Sequence, residues 1–286
     1  MKTVTERRLR ARAVLEGKAC VHPASVHDPL SARIAEELGF ELGMFAGSTA
    51  SLAILGAPDH ILITLTEFAQ QCRRITRAGA LPLVVDADHG YGNALNVQRT
   101  VEECEVAGIA AMSIEDTELP RPYGAPQPRL ISIDEGVGKM RAAVAAKVDR
   151  SLCIFARTGA MNVTSREDCL ARIKAYNNTG TDGIFLTGVT TREELDAAAG
   201  VAKQPLILGT LSPAIADRDY LASRGVRIAL QGHAPSQAAA QAIHATLKAL
   251  REGVSPSALT GLPEKGAMAR WTCEEHYSAA MKDYLG

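Results

Sequence analysis

Eight short apolar runs, each closing on small or polar residues, constrain the fold of this chain more than any other feature of its sequence. They are ACVHPASV (19–26), ELGMFAGS (41–48), LPLVVDAD (81–88), IAAMSIED (109–116), LCIFARTG (152–159), GIFLTG (183–188), PLILGT (205–210) and RIALQG (227–232). Runs that are apolar throughout, rather than alternating, mark strands covered on both faces. Between them lie segments of helical period, among them DPLSARIAEELGF, TLTEFAQQCRRITRAG, SREDCLARIKAYNNTG and PAIADRDYLASRG, several opening near Ser, Thr or Asp and closing on Gly. Eight parallel strands with helical crossovers close most naturally into an α/β (β/α)8 barrel of TIM type. A doubly wound sheet is the competing arrangement, but no GxGxxG turn follows the first strand.

No proline-rich or low-complexity linker interrupts the 286 residues, so 1–286 reads as a single barrel domain. An N-terminal helix is expected over about 1–18 and a helical extension over about 234–286, more than closing a barrel requires. That extension is expected to pack on the barrel or on a neighbouring subunit. With 31 basic against 32 acidic residues the net charge is -1, which argues against nucleic acid or an anionic membrane as partner and leaves a small ligand. The N-terminus carries no signal-peptide pattern and no segment has the length of a membrane span, so a soluble, cytoplasmic protein is expected. The six cysteines form no CxxC pair and read as reduced, mostly buried thiols.

In a barrel of this kind the chemistry gathers at the C-terminal strand ends. The expected strand ends carry Gly47 and Ser48, Asp86 and Asp88, Glu115 and Asp116, Arg157, and Gly232 and His233. Several carboxylates without equal local cations repel one another, and a hard divalent cation satisfies them. Mg2+ suits such a set because it binds one or two carboxylates directly and reaches others through water, with Mn2+ as a substitute. Asp86 and Asp88 share a strand face, with Ala87 pointing away. Asp86 is expected nearest the ion, with Asp88 and Glu115 in its water shell. Taken singly, Asp88 or Asp116 could instead cap the following helix. His22 and His89 read as structural, and Tyr91 as lining the pocket.

The motifs DADHGYGN (86–93), SIED (113–116) and ART (156–158), with AGSTAS (46–51) and GAPDH (56–60), resemble the phosphoenolpyruvate mutase and isocitrate lyase superfamily from about Ser25 to His233. The resemblance implies a barrel whose Mg2+ chelates an α-keto carboxylate and whose reactions pass through a pyruvate enolate. It also matches Asp59 to an outer metal-shell or gating-loop aspartate. Lyases of that superfamily carry a catalytic cysteine in a segment that here reads ELPRPYGAPQPRL, without cysteine, which sets cleavage of isocitrate aside. GHAPSQAA after the eighth run and ASVHDPLSARIAEELGFELG near the start are closest to the oxaloacetate decarboxylase branch.

The activity implied is Mg2+-dependent decarboxylation of oxaloacetate to pyruvate and CO2, a carbon-carbon lyase reaction. Phosphonopyruvate hydrolysis, other C-C or C-P cleavage of an α-keto acid, and a non-catalytic keto-acid-binding barrel are the alternatives. Gly47 and Ser48 would hold the inner carboxylate. Arg157 would hold a carboxylate or the developing enolate oxygen, and His233 would contact substrate, orient the leaving carboxylate or protonate the enolate. A homo-oligomer, by resemblance a homotetramer built as a dimer of dimers, is implied. One departure bears on substrate: members commonly carry Asn or Asp after ART, where this chain has Gly159.

Overall fold

A computed structural model describes residues 2–286. The chain divides into a unit of residues 1–232 and a second of 233–286. In the first, strands β1 (Ala24–Ser25), β2 (Gly43–Phe45), β3 (Leu83–Asp86), β4 (Ala111–Glu115), β5 (Cys153–Thr158), β6 (Gly183–Leu186), β7 (Leu206–Leu208) and β8 (Val226–Ala229) pair in chain order, every pair parallel. The ring closes just before β1. Val21 N donates to Arg227 O at 2.9 Å and Ala229 N to Val21 O at 3.0 Å, forming a parallel bridge between Val21 and Ile228. All eight apolar runs thus contribute a strand to a closed (β/α)8 sheet.

Around it run α1 (Val4–Glu16), α2 (Pro29–Glu37), α3 (Gly47–Ala50), α4 (Leu65–Thr76), α5 (Ala94–Val106), α6 (Ile133–Ala146), α7 (Ala160–Val163), α8 (Arg166–Tyr176), α9 (Arg192–Val201) and α10 (Arg218–Ser223). Side-chain caps fix several starts. Asp28, Thr64, Asn93, Ser165 and Thr191 each accept from a backbone N–H in the first turn, satisfying donors the helix leaves unpaired. Two expectations shift. The second apolar run stops being a strand at Phe45, and Gly47 and Ser48 open the helical turn α3 instead. The segment expected as one helix over 213–225 breaks into a 3-10 turn, Pro213–Ile215, and α10, because Asp217 caps a fresh start by accepting from Tyr220 N at 2.6 Å.

Strand alternation sorts the core into two layers. Val84, Ala111, Cys153, Phe155, Phe185, Ile207 and Ile228 form the barrel interior, while Val85, Met112, Ile114, Ile154, Ala156, Ile184 and Leu208 face the helices. Helix α1 belongs to the inner cluster through Ala11 and Leu15. Its Arg8 is fixed by three bonds, from Nε to Ile109 O at 3.0 Å, Nη1 to Asp149 Oδ2 at 2.8 Å and Nη2 to Glu105 O at 2.7 Å.

In the second unit α11 (Ala234–Arg251) is followed by a 3-10 turn, α12 (Ala267–Trp271) and α13 (Glu274–Leu285). Ser236 and Ala267 are its only buried residues.

The Asp149 carboxyl is subject to burial, which would raise its pKa, but bonds from Ser151, Arg8 and Thr5 hold it below the usual range. A carboxylate whose folded pKa is depressed adds stability above its unfolded value, about 3.9, and loses it as pH falls toward the folded one. The D149N variant should therefore have a lower urea midpoint than the native chain at pH 7, with the gap narrowing as both are titrated below about pH 4.

Candidate active site

Above the apolar interior, the inward series of successive strands turns polar. On β3 it passes from Val84 to Asp86, on β4 from Ala111 through Ser113 to Glu115, and on β5 from Phe155 to Arg157. Asp86, Asp88, Glu115 and Arg157 line one cavity of about 650 Å3, with Asp59, Thr187, Asn162 and the loop between β4 and α6 completing its wall. A larger groove of about 780 Å3 opens by the end of α1 among Glu16, Lys203 and Arg224. Its charged groups are solvent-exposed, so the perturbed chemistry lies in the smaller cavity.

Arg157 organises the site. Its Nη1 bonds Asp86 Oδ2, its Nη2 lies 3.3 Å from Glu115 Oε2, and its guanidinium carbon stands 5.4 Å over the Phe185 ring. Burial alone would lower the guanidinium's pKa, but Asp86 and Glu115 more than offset it and hold the cation charged. Asp86 Oδ1 accepts from Ser113 Oγ at 3.2 Å and from Asp88 N at 3.2 Å. Both contacts orient Asp86. Ser113 precedes Glu115 by two, and that spacing alone places it on the inward face.

Asp88 is the acid left over. It sits at φ +48, in the left-handed region, within a turn where Gly90 and Gly92 are also at positive φ. Its carbonyl accepts from Glu115 N at 2.8 Å, which ties the turn to β4. A Cβ on Gly47 would lie 2.5 Å from Asp88 Oδ1, so the missing side chain at 47 is what makes room for this carboxylate. Oδ2 is buried without a hydrogen-bond partner among the described residues. Burial raises the Asp88 pKa well above the carboxylate range, and Asp86, Glu115 and Asp59 push it further. Burial likewise raises Glu115, against the lowering effect of Arg157.

Three carboxylates around one guanidinium, one with an orphaned buried oxygen, fit a hard divalent cation. Among the described residues no three His, Cys, Asp or Glu side chains already converge as a cage. Such a set suits an ion that keeps much of its water shell.

The other expected site residues have contacts of their own. Gly47 supports Asp88, and Ser48 is not on the cavity wall. His233 lies in the second unit, at the N-cap of α11, where Ser236 Oγ donates to its carbonyl at 2.8 Å. Tyr91, expected to line the pocket, instead packs with Phe68 and the outer core. Burial lowers the His89 pKa to about 4, with Lys139 adding to it, so this histidine is neutral.

Asp116 points outward, as its parity against Glu115 requires, and is fully buried. It accepts from Arg172 Nη1 at 2.9 Å and Tyr176 Oη at 2.7 Å, a pair of partners that sequence inspection did not suggest. Burial raises its pKa, and Tyr176 and Arg172 oppose that.

The site and the fold together define a phosphoenolpyruvate phosphomutase-type barrel, and the chain belongs to that family, whose model matches residues 12–251. Within it, the chain is 56% identical over 280 residues to an oxaloacetate decarboxylase of Bradyrhizobium sp. (strain ORS 278), covering 98% of this chain and 97% of that one. To an oxaloacetate decarboxylase of Rhodopseudomonas palustris (strain BisA53) it is 55% identical, with the same coverage. Among solved structures, a phosphonopyruvate hydrolase in complex with oxalate and Mg2+ superposes with a TM-score of 0.86 at 28% identity, covering 98% of this chain and 99% of that one. An oxaloacetate acetylhydrolase bound to 3,3-difluorooxalacetate gives 0.85 at 28% identity, covering 98% and 97%.

Removing one partner of a buried ion pair leaves the other charge uncompensated. Asp116→Ala should lower unfolding free energy by about 3–5 kcal/mol, read from the urea midpoint and slope. A loss below about 1 kcal/mol would show that Asp168 alone, 2.9 Å from Arg172 Nε, suffices as its counter-charge.

Proposed function

We propose that this chain is a Mg2+-dependent oxaloacetate decarboxylase, with Mn2+ able to replace Mg2+, releasing CO2 and pyruvate through an enolate. The observation that carries the reading is the buried, unpartnered Asp88 oxygen beside Asp86 and Glu115 on one cavity. Relatives named oxaloacetate decarboxylase at 53–56% identity choose the reaction, against 28% for the phosphonopyruvate hydrolase.

Asp86, Asp88 and Glu115 would hold the ion, Asp86 most directly, with Asp59 at its outer shell. When bound, the ion supplies positive charge beside the keto acid's carboxylate and carbonyl oxygens, a Lewis-acid contribution of several kcal/mol in general. The chain's own groups position the rest. Arg157, fixed over Phe185, presents a planar cation whose partners are carboxylates, so it can trade one of them for a substrate oxygen. Gly47, which packs directly on Asp88, and Ser48 after it in α3 are proposed to reach the inner carboxylate from beside the metal-holding acids, and His233 is proposed to contact substrate or protonate the enolate. The keto acid is held in a recess whose floor is apolar, which strengthens each charged contact.

The second unit supports self-association. On α11, Ile243, Leu247 and Leu250 follow one another at helical spacing and are 61%, 61% and 40% exposed. An apolar stripe in a unit with two buried residues is suited to a second copy of the chain, and the proposed assembly is a homotetramer, a dimer of dimers. Among the described residues no helix is long and apolar enough to cross a membrane. We assign the protein to the cytoplasm.

Purified protein should release pyruvate from oxaloacetate in the presence of Mg2+ faster than the metal alone, and a chelator should abolish the difference. Asp86→Ala should remove at least about 99% of that activity, ~2.7 kcal/mol of transition-state stabilisation, while its circular dichroism stays native. Phosphate release from phosphonopyruvate, or oxalate binding without turnover, would replace the decarboxylase reading with the hydrolase or the binding barrel. Sedimentation velocity should show a species several times the 30.3 kDa chain, and a clean monomer at micromolar concentration would remove the proposed assembly.

A further inference from the structure

We propose that the groove at the N-terminal end of the barrel is a binding site for an acidic α-amino acid, separate from the cavity that gathers Asp86, Glu115 and Arg157 at the opposite end. The groove, of about 780 Å3, lies where the chain enters β7 and β8 and where α1, α9 and α10 end. Arg227, Lys203 and Glu16 stand on its wall. Among the described residues neither Lys203 nor Glu16 has a salt-bridge partner, and the Arg227 guanidinium bonds only main-chain carbonyls. Two cations and one anion are thus left open to one recess.

A break in the sheet aims Arg227. Leu206 pairs with Val226, but the next residue, Ile207, pairs with Ile228, so Arg227 is the extra residue of a bulge, a rare feature between parallel strands. Regular alternation would put Val226 and Ile228 on one face. Instead Val226 belongs to the outer core and Ile228 to the barrel interior, and Arg227 occupies the switch between them. Its Nη1 donates to Ala222 O at 3.0 Å and to Val226 O at 3.1 Å, which fixes the guanidinium and leaves Nη2 and Nε for a ligand. Gln204 supplies a second fixed group. Its Nε2 donates to Asn177 O at 3.0 Å, which makes Oε1 the free acceptor, and that oxygen is buried without a partner among the described residues.

The ligand follows from the charges. An acidic amino acid carries two carboxylates and one ammonium, the complement of Arg227, Lys203 and Glu16. Helix ends reinforce a place for the ammonium: α1, α9 and α10 all bring their electronegative C-terminal turns to the groove, and Gln204 Oε1 adds a neutral acceptor. A dicarboxylate without the ammonium would leave Glu16 facing negative charge, a cost that disfavours it. Oxaloacetate is such a dicarboxylate, so the groove does not draw it from the cavity at the other end. The remaining charges on the wall are already satisfied. Arg224 Nε donates to Asp196 Oδ1 at 2.5 Å, and Tyr220 Oη donates to the same oxygen at 2.8 Å.

Isothermal titration of the whole chain should detect L-aspartate or L-glutamate with a Kd on the order of 1 mM, the affinity of an open site with few contacts. Succinate, which lacks the ammonium, should bind at least about fivefold more weakly. Oxalate with Mg2+ should leave the amino-acid titration unchanged. Lys203 and Glu16 are exposed, so K203M and E16Q should keep the native circular dichroism. K203M should raise the Kd about fivefold and R227M about tenfold. E16Q should weaken the amino acid and strengthen succinate, an inversion that misfolding does not produce. No binding of either amino acid up to about 20 mM, succinate binding as tightly as they do, displacement by oxalate, or an unchanged Kd in K203M and E16Q would overturn the site.

Discussion

Everything at the mouth of this barrel depends on three buried carboxylates gathered near a single guanidinium that pairs with only two of them. Arg157 pairs with both Asp86 and Glu115 and is itself held charged by them, but one cation cannot balance two ionised carboxylates, so the group already carries an excess of negative charge. Asp88 cannot join it, because the guanidinium's two outer nitrogens already face the other two acids. The surplus is deliberate in a physical sense. A buried carboxylate oxygen with no hydrogen-bond partner among the described residues, as at Asp88 Oδ2, is costly, and this fold accepts the cost in a turn where Asp88 and Tyr91 adopt left-handed backbone, which L-residues other than glycine reach only at about 1–2 kcal/mol each. A sequence selected for stability alone would put an uncharged residue at 88. Under the proposed function, a bound cation would relieve that cost, and the relief would count toward its binding.

The barrel can afford that strain because its opposite end is so thoroughly paired. Helix α1 joins the interior cluster through Ala11 and Leu15 and uses Arg8 to bond β4's approach, the end of α5 and the loop before β5 at once. Arg12 and Lys147 meet at Asp182, whose other role is to accept from Ile154 N at 2.9 Å. Ion pairs at one end and an open, charged cavity at the other divide stability from reactivity along the strand direction, as parallel barrels generally do.

Much of this was legible in the sequence, and the limits of legibility have identifiable causes. Eight two-face-buried runs separated by amphipathic segments admit few folds, and strand alternation separates Asp86 from Ala87 in the outer core, but Asp88, expected on the same strand face, reaches the cavity from a left-handed turn beyond the end of β3. The same alternation separates Glu115 from Asp116, one facing the cavity and the other the helices, although the identity of Asp116's partners depends on where α8 lies. Arg172 and Tyr176 are 56 and 60 residues away, and nothing local announces them. Gly47 read as a donor to substrate, and nothing in the sequence announced its further contribution, the missing side chain that makes room for Asp88. A close approach between two turns is a property of the assembled barrel, invisible until β2 and β3 are side by side.

Glu115 and Asp116 show how one strand serves both ends of that division. They are adjacent, similarly acidic and both buried, so burial raises the pKa of each. Asp116 meets a fixed guanidinium and a phenol inside the helical layer, where solvent and ligands do not reach, and its charge has one possible use, holding α8 to the sheet. Glu115 meets a guanidinium that also serves Asp86 and faces an open cavity, so its partner can be exchanged. Their chemistry differs because the pleat sends successive side chains to opposite faces. A one-residue slip of β4 would exchange them, sending the structural acid into the cavity and the reactive one into the core. Main-chain bonds on both sides of the strand exclude that slip: Glu115 N to Asp88 O at 2.8 Å and Asp116 N to Arg157 O at 3.2 Å.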